Sequence, residues 1–66
     1  MVCSVVLVDE GDWIVATDTQ TGIASQGKTN REALDSLKEA LELYYEDIPE
    51  SERVVYPAML TTLEVL

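Results

Sequence analysis

The sequence predicts an α+β fold of order β-β-β-α-β, a small, mostly antiparallel sheet with one helix packed on one face. Three observations lead there. Short β-branched runs separated by turn residues fill the first half of the chain, and a capped amphipathic helix follows them. An alternating run from Leu60 to Leu66 then closes the sequence. With 66 residues, the expectation is one domain spanning 1–66.

Met1 to Val8 is apolar and rich in valine, which reads as a first strand. Asp9, Glu10, Gly11 and Asp12 make a charged turn, with Gly11 able to adopt a positive φ. Trp13 to Thr17 is the second strand. Its alternation sets Trp13, Val15 and Thr17 on one face and Ile14, Ala16 and Asp18 on the other. After a polar bend, Ile23 to Gln26 returns as a third strand, and Gly27 supplies a sharp corner into the helix.

Thr29 and Glu32 form a capping box. The hydroxyl accepts from the Glu32 N–H while the Glu32 carboxylate reaches back to the N–H of Thr29, so a helix starts at Asn30. Ala33, Leu34, Leu37, Ala40, Leu41, Tyr44 and Ile48 recur in steps of three and four, forming a core stripe with Tyr45 on its border. Asp35, Lys38, Glu39, Glu42 and Glu46 fall on the other side, and Pro49 stops the helix. Glu50 to Arg53 reads as a linker, and Val54 to Met59 is ambiguous around Pro57. Leu60 to Leu66 sets Thr61, Leu63 and Val65 against Thr62 and Glu64, a fourth strand.

Gly22, Gly27, Lys28 and Thr29 also satisfy the phosphate-loop pattern G-x-x-x-x-G-K-[ST]. That loop needs a buried strand leading into its first glycine, and Gly22 instead follows the polar run Asp18, Thr19, Gln20 and Thr21. Ile23 to Gln26 has extended character, which straightens the stretch that would have to curl around a phosphate. A nucleotide or anion binder built on Gly22 to Thr29, at the electropositive end of a helix, is the alternative reading.

The chain carries 13 acidic and 4 basic residues, a net charge of −9. Such a surface repels nucleic acid and attracts a basic protein, so direct DNA binding is not expected. The same charge can serve solubility alone. Asp9, Glu10 and Asp12 form one candidate partner-facing cluster, and Glu46 and Asp47, with Glu50 and Glu52 behind them, form a second. No histidine is present, and the acids lie in turns and on the solvent side of the helix, with only Asp18 and Glu64 on strands. A catalytic or metal site, which needs several converging groups, is therefore not expected, nor is a cofactor. Cys3, the single cysteine, reads as a small hydrophobe in a strand and fits a reducing cytosol. The apolar start is too short to span a bilayer and lacks a basic leader, so a cytoplasmic protein without a membrane anchor is expected.

Trp13, the run Gly22-Ile-Ala-Ser-Gln-Gly-Lys-Thr29, then Glu32-Ala-Leu34 and Leu37-Lys-Glu-Ala-Leu-Glu-Leu-Tyr44 resemble the HicB-like antitoxin family. The likeness extends from the first hairpin to Thr61, Thr62, Glu64 and Val65. Many members of that family have a Pro-rich segment before the glycine, where this chain has Asp18-Thr-Gln-Thr21. The resemblance implies a fold like a truncated RNase H, and a role as the neutralising partner of a small HicA-like toxin that cleaves mRNA. Relatives often append a helix-turn-helix or ribbon-helix-helix module. With the sequence ending at Leu66, none is expected here. An orphan oligomeric scaffold without a toxin is a further alternative.

A domain this small buries only about 60% of its unfolded surface, so association would help it, and a homodimer is expected. Leu43, opposite the core stripe, and Tyr45 are the candidate interface residues. Four short strands cannot close into a barrel, which leaves edges for pairing.

Overall fold

Turn chemistry at two places folds the first 27 residues into a meander. The structure, a computed structural model describing residues 1–66, contains β1 (Val5–Asp9), β2 (Ile14–Asp18), β3 (Ala24–Gly27) and α1 (Asn30–Tyr45), then a short 3-10 turn, Glu50–Glu52. The three strands form an antiparallel sheet in the order β1-β2-β3. At the first turn Gly11 has φ +97°, and its N–H donates to Asp9 Oδ1 at 2.9 Å. Gly22 at the second turn has φ +78°. Both conformations are strained for a residue with a Cβ.

Register decides which residues share a face. Val5 lies opposite Asp18, Leu7 opposite Ala16 and Asp9 opposite Ile14, while Ile14 faces Gly27 and Ala16 faces Ser25 across the second ladder. Directly opposed residues project to the same side. The helix covers the side of Val5, Ile14, Ala16, Asp18 and Ser25, as the 2.6 Å Ser25 Oγ to Ser36 Oγ hydrogen bond shows. Val6, Val8, Val15, Thr17 and Ala24 occupy the other side, which no element covers.

The core is Ala16, Ala33, Leu37, Leu41 and Tyr45, with Cys3, Val5, Ile14, Ile23 and Ile48 packed around it. On the helix this is one unbroken row at four-residue steps. Leu37, 1% exposed, is the largest apolar side chain fully inside, and its burial contributes about 1.5–3 kcal/mol. Ala16 and Ala33 bring helix and sheet close because neither has atoms beyond Cβ.

The α+β architecture has the expected three antiparallel strands followed by one helix. Four details differ from the sequence expectation. Leu60 to Leu66 forms no strand: residues 53–66 have no regular structure, and no backbone–backbone hydrogen bond ties residues 54–66 to the rest. A strand needs a ladder partner, and this segment lies against none. Tyr45 is in the core, 8% exposed, while Tyr44 beside it is half exposed, so the border and stripe positions are exchanged. Leu34, placed on the stripe, is also partly exposed, because only a narrow sheet lies beneath the helix. Finally, the helix ends at Tyr45 rather than Ile48, its last turn tightening through Glu46 N–H to Leu43 O and Ile48 N–H to Tyr45 O.

Candidate functional site

The segment from Gly22 to Thr29 contains strand, not loop. Asp18 and Ile23 are joined by the 2.8 Å Asp18 N–H to Ile23 O bond, and Gly22 N–H donates to Asp18 O at 2.9 Å. Asp18, 0% exposed, holds the turn through Oδ2, which accepts from the Thr21 N–H at 2.9 Å and the Thr21 hydroxyl at 2.7 Å. Its Oδ1 is buried with no partner. From Ala24 to Gly27 the backbone is paired with β2. An added Cβ at Gly27 would lie 2.5 Å from Ala33 N, so glycine stands there because the helix crosses too close for any side chain.

At the helix start Thr29 is the N-cap, its hydroxyl accepting from the Glu32 N–H at 3.1 Å. The Glu32 carboxylate reaches one residue further back than expected, accepting from the Lys28 N–H at 2.8 Å rather than from Thr29. A carboxylate of the chain itself therefore occupies the place an anion would seek. This geometry provides no loop to wrap a triphosphate.

The two acidic clusters lie at opposite ends of the sheet. Asp9, Glu10 and Asp12 form the exposed β1–β2 turn, beside Ile14 and Gly27, where the helix begins. Glu46 and Asp47 are exposed at the end of the helix, which finishes near Asp18. No group of three His, Cys, Asp or Glu side chains comes together as a metal site. The last helical turn itself holds no basic residue, and Glu42 and Glu46 sit near the negative end of the helix dipole.

Arg53, read from sequence only as part of a linker, is a structural clamp. Its Nε donates to Ile48 O at 2.9 Å and its Nη2 to Tyr45 O at 3.0 Å, and the guanidinium lies 5.7 Å from the Tyr45 ring centre. A cation on the last carbonyls completes the helix end. The only signal in the sequence is an arginine a few residues past the helix. Tyr45 also meets Tyr44 edge-on, centroids 4.9 Å apart. Burial, and after it the nearby Asp18 carboxylate, push the Tyr45 phenol above its usual value. Of the two candidate interface residues, Tyr45 is buried in the core, whereas Leu43 is 65% exposed.

Two apolar surfaces remain. One is the open sheet face carrying Val6, Val8, Val15 and Thr17, with half-exposed Trp13 leading into β2 beside the acidic turn. The other is a groove of about 560 Å³ between β1 and the helix, lined by Cys3, Val5, Leu34, Leu37, Leu41 and Tyr45. No helix is long and apolar enough to cross a membrane.

Comparison with known proteins gives one match: a family model described as a family of unknown function, DUF7387, covers residues 4–64. No curated protein and no solved structure matches the chain.

Proposed function

The chain belongs to the DUF7387 family of unknown function, and from that premise we propose that it is a non-catalytic, cytoplasmic interaction protein of the HicB-like antitoxin type. It binds a small basic HicA-like toxin that cleaves mRNA and neutralises it by covering its RNA-binding surface. The observation that carries this reading is the one-sided sheet: an uncovered apolar face beside the exposed acids Asp9, Glu10 and Asp12, on a chain of net charge −9. An apolar centre with a charged rim suits a protein partner, and the negative field speeds encounter with a cationic one. Strand pairing from Ala24 to Gly27 and the Glu32 carboxylate at the helix start argue against the nucleotide-binding alternative.

The test is to mix the purified protein with a small basic protein encoded beside it, and separately with ATP and Mg²⁺, and to follow thermal unfolding. The reading requires a rise in melting temperature with the basic protein, loss of that protein's RNA cleavage, and weakening of both when Asp9, Glu10 and Asp12 are changed to Asn, Gln and Asn. Stabilisation by ATP that vanishes in Lys28→Ala would replace it with a nucleotide-binding function.

A further inference from the structure

We propose that residues 54–66 are an outer strand used in exchange: each chain lays this segment along β1 of a second copy, filling that copy's groove between β1 and the helix. The groove and the segment have complementary deficits. β1 is an edge of the sheet, with no neighbour on its outer side, and an unpaired edge is a template for an added strand. Beside it Leu34 is partly exposed, and the groove lining is mainly apolar, with Lys38, Glu42, Glu46 and Arg53 as its charged members.

The segment is apolar yet placed in water. Residues 56–66 are all exposed, with Met59 at 97% and Leu63 at 85%. Leu63 and Val65 alternate with Thr62 and Glu64, the pattern of a strand with one buried side. Its one hydrogen bond to the body is the 3.2 Å bond from Tyr56 N–H to Gln20 Oε1.

Shape and area point to a second copy as the occupant. A compact chain of 7.3 kDa exposes about 4,200 Å², whereas this one exposes 5473 Å². The surplus, about 1,300 Å² per chain, exceeds the roughly 800 Å² that each partner contributes to a standard stable interface. The radius of gyration is 13.3 Å against about 11 Å for a compact chain of this length. Arg53 fixes the exit from the helix end, and Tyr56 is bound to Gln20 in the β2–β3 turn, so the first residues of the segment are held to the body. Reciprocal exchange with a second copy gives a closed two-fold dimer. The exchange needs no toxin and stands apart from the proposed function.

The lone thiol Cys3 lines the groove and serves as the reporter. In the full chain, Thr61→Cys, Thr62→Cys, Leu63→Cys, Glu64→Cys and Val65→Cys are made singly and oxidised, with the unsubstituted protein as control. Strand exchange predicts disulfide-linked dimers, dissolved by reductant, at one or more of these positions, absent from the control. It also predicts that light scattering gives twice the 7.3 kDa chain mass, halved in Leu63→Glu with the circular dichroism of the helix kept. An internal Cys3 disulfide at monomer mass would mean the segment folds onto its own chain and would overturn the proposal. So would a full chain that is monomeric at micromolar concentration, or a dimer that persists in Leu63→Glu.

Discussion

Residues 5–53 and residues 54–66 are both rich in apolar side chains, but only the first stretch folds on itself. In the body, the apolar row Ala33, Leu37, Leu41 and Tyr45 meets a sheet face whose register places Val5, Ile14 and Ala16 beneath it. In the tail, Leu63 and Val65 alternate with Thr62 and Glu64, yet no neighbour supplies the other half of a ladder. The contrast shows that apolar pattern specifies which face is to be buried and leaves open what buries it. A helix satisfies its backbone internally, whereas a strand must borrow its partner.

The sharpest way to break this comparison is to remove the same side chain from both regions. Leu37→Ala should cost about 2–5 kcal/mol, comparable with the roughly 3–5 kcal/mol that a core of this size supplies. The variant is therefore expected to be largely unfolded by circular dichroism at 25 °C. Leu60→Ala, at an exposed position, should move the urea midpoint of the monomer, measured at dilution, by no more than about 0.5 kcal/mol equivalent. Equal losses at the two positions would mean that the tail packs within its own chain.

Two smaller tests probe how the body is held together where strand becomes helix. Gly27→Ala forces a Cβ against Ala33 N and Glu32, and should cost about 1–3 kcal/mol in denaturant titration. A neutral result there would show that the corner can relax. Thr29→Ala removes the acceptor of the Glu32 N–H and should cost about 1 kcal/mol, with Thr29→Ser restoring most of it.

The smallest expected effect is alkaline. Folding raises the Tyr45 phenol above its ordinary 10.0, so the stability gained by keeping it neutral is complete below that value and is lost as pH rises through the folded-state value. Tyr45→Phe should flatten the fall in urea midpoint above pH 10, and ultraviolet titration of the native protein should lose its latest tyrosine step in that variant. An unchanged pH profile would place the phenol in water and Tyr45 outside the core.

Much of the body was legible because its signals are local. Thr29 and Glu32 announced the helix start, and the recurrence of Ala33, Leu37 and Leu41 announced its buried side. The alternation in Trp13 to Thr17 put Ile14, Ala16 and Asp18 on one face, and the structure makes that face the helix side. Gly27 was read as a corner, although the reason, a helix backbone 2.5 Å from where a Cβ would sit, is a tertiary fact. The exchange between Tyr44 and Tyr45 was not legible, since a helical stripe fixes a direction only to within a neighbouring residue and the width of the sheet decides the rest. Arg53 was missed for a similar reason: its partners are main-chain oxygens, which carry no sequence signal. Of the candidate site residues, Asp9, Glu10, Asp12, Glu46, Asp47 and Leu43 are all exposed, but the fold sets the two acidic groups at opposite ends.

By itself, the sequence determined the element order through the third strand and the helix, the capped helix start, and the two faces of the central strand. These follow from hydrogen bonds and periodicities that span only a few residues. Only the tertiary structure decided that Tyr45 closes the core, that Asp18 is buried at a turn, that one sheet face lies open, and that the final apolar run has no partner within its own chain. Each of those depends on what stands opposite a residue in space, and a one-dimensional pattern carries that only when the opposing group is close along the chain.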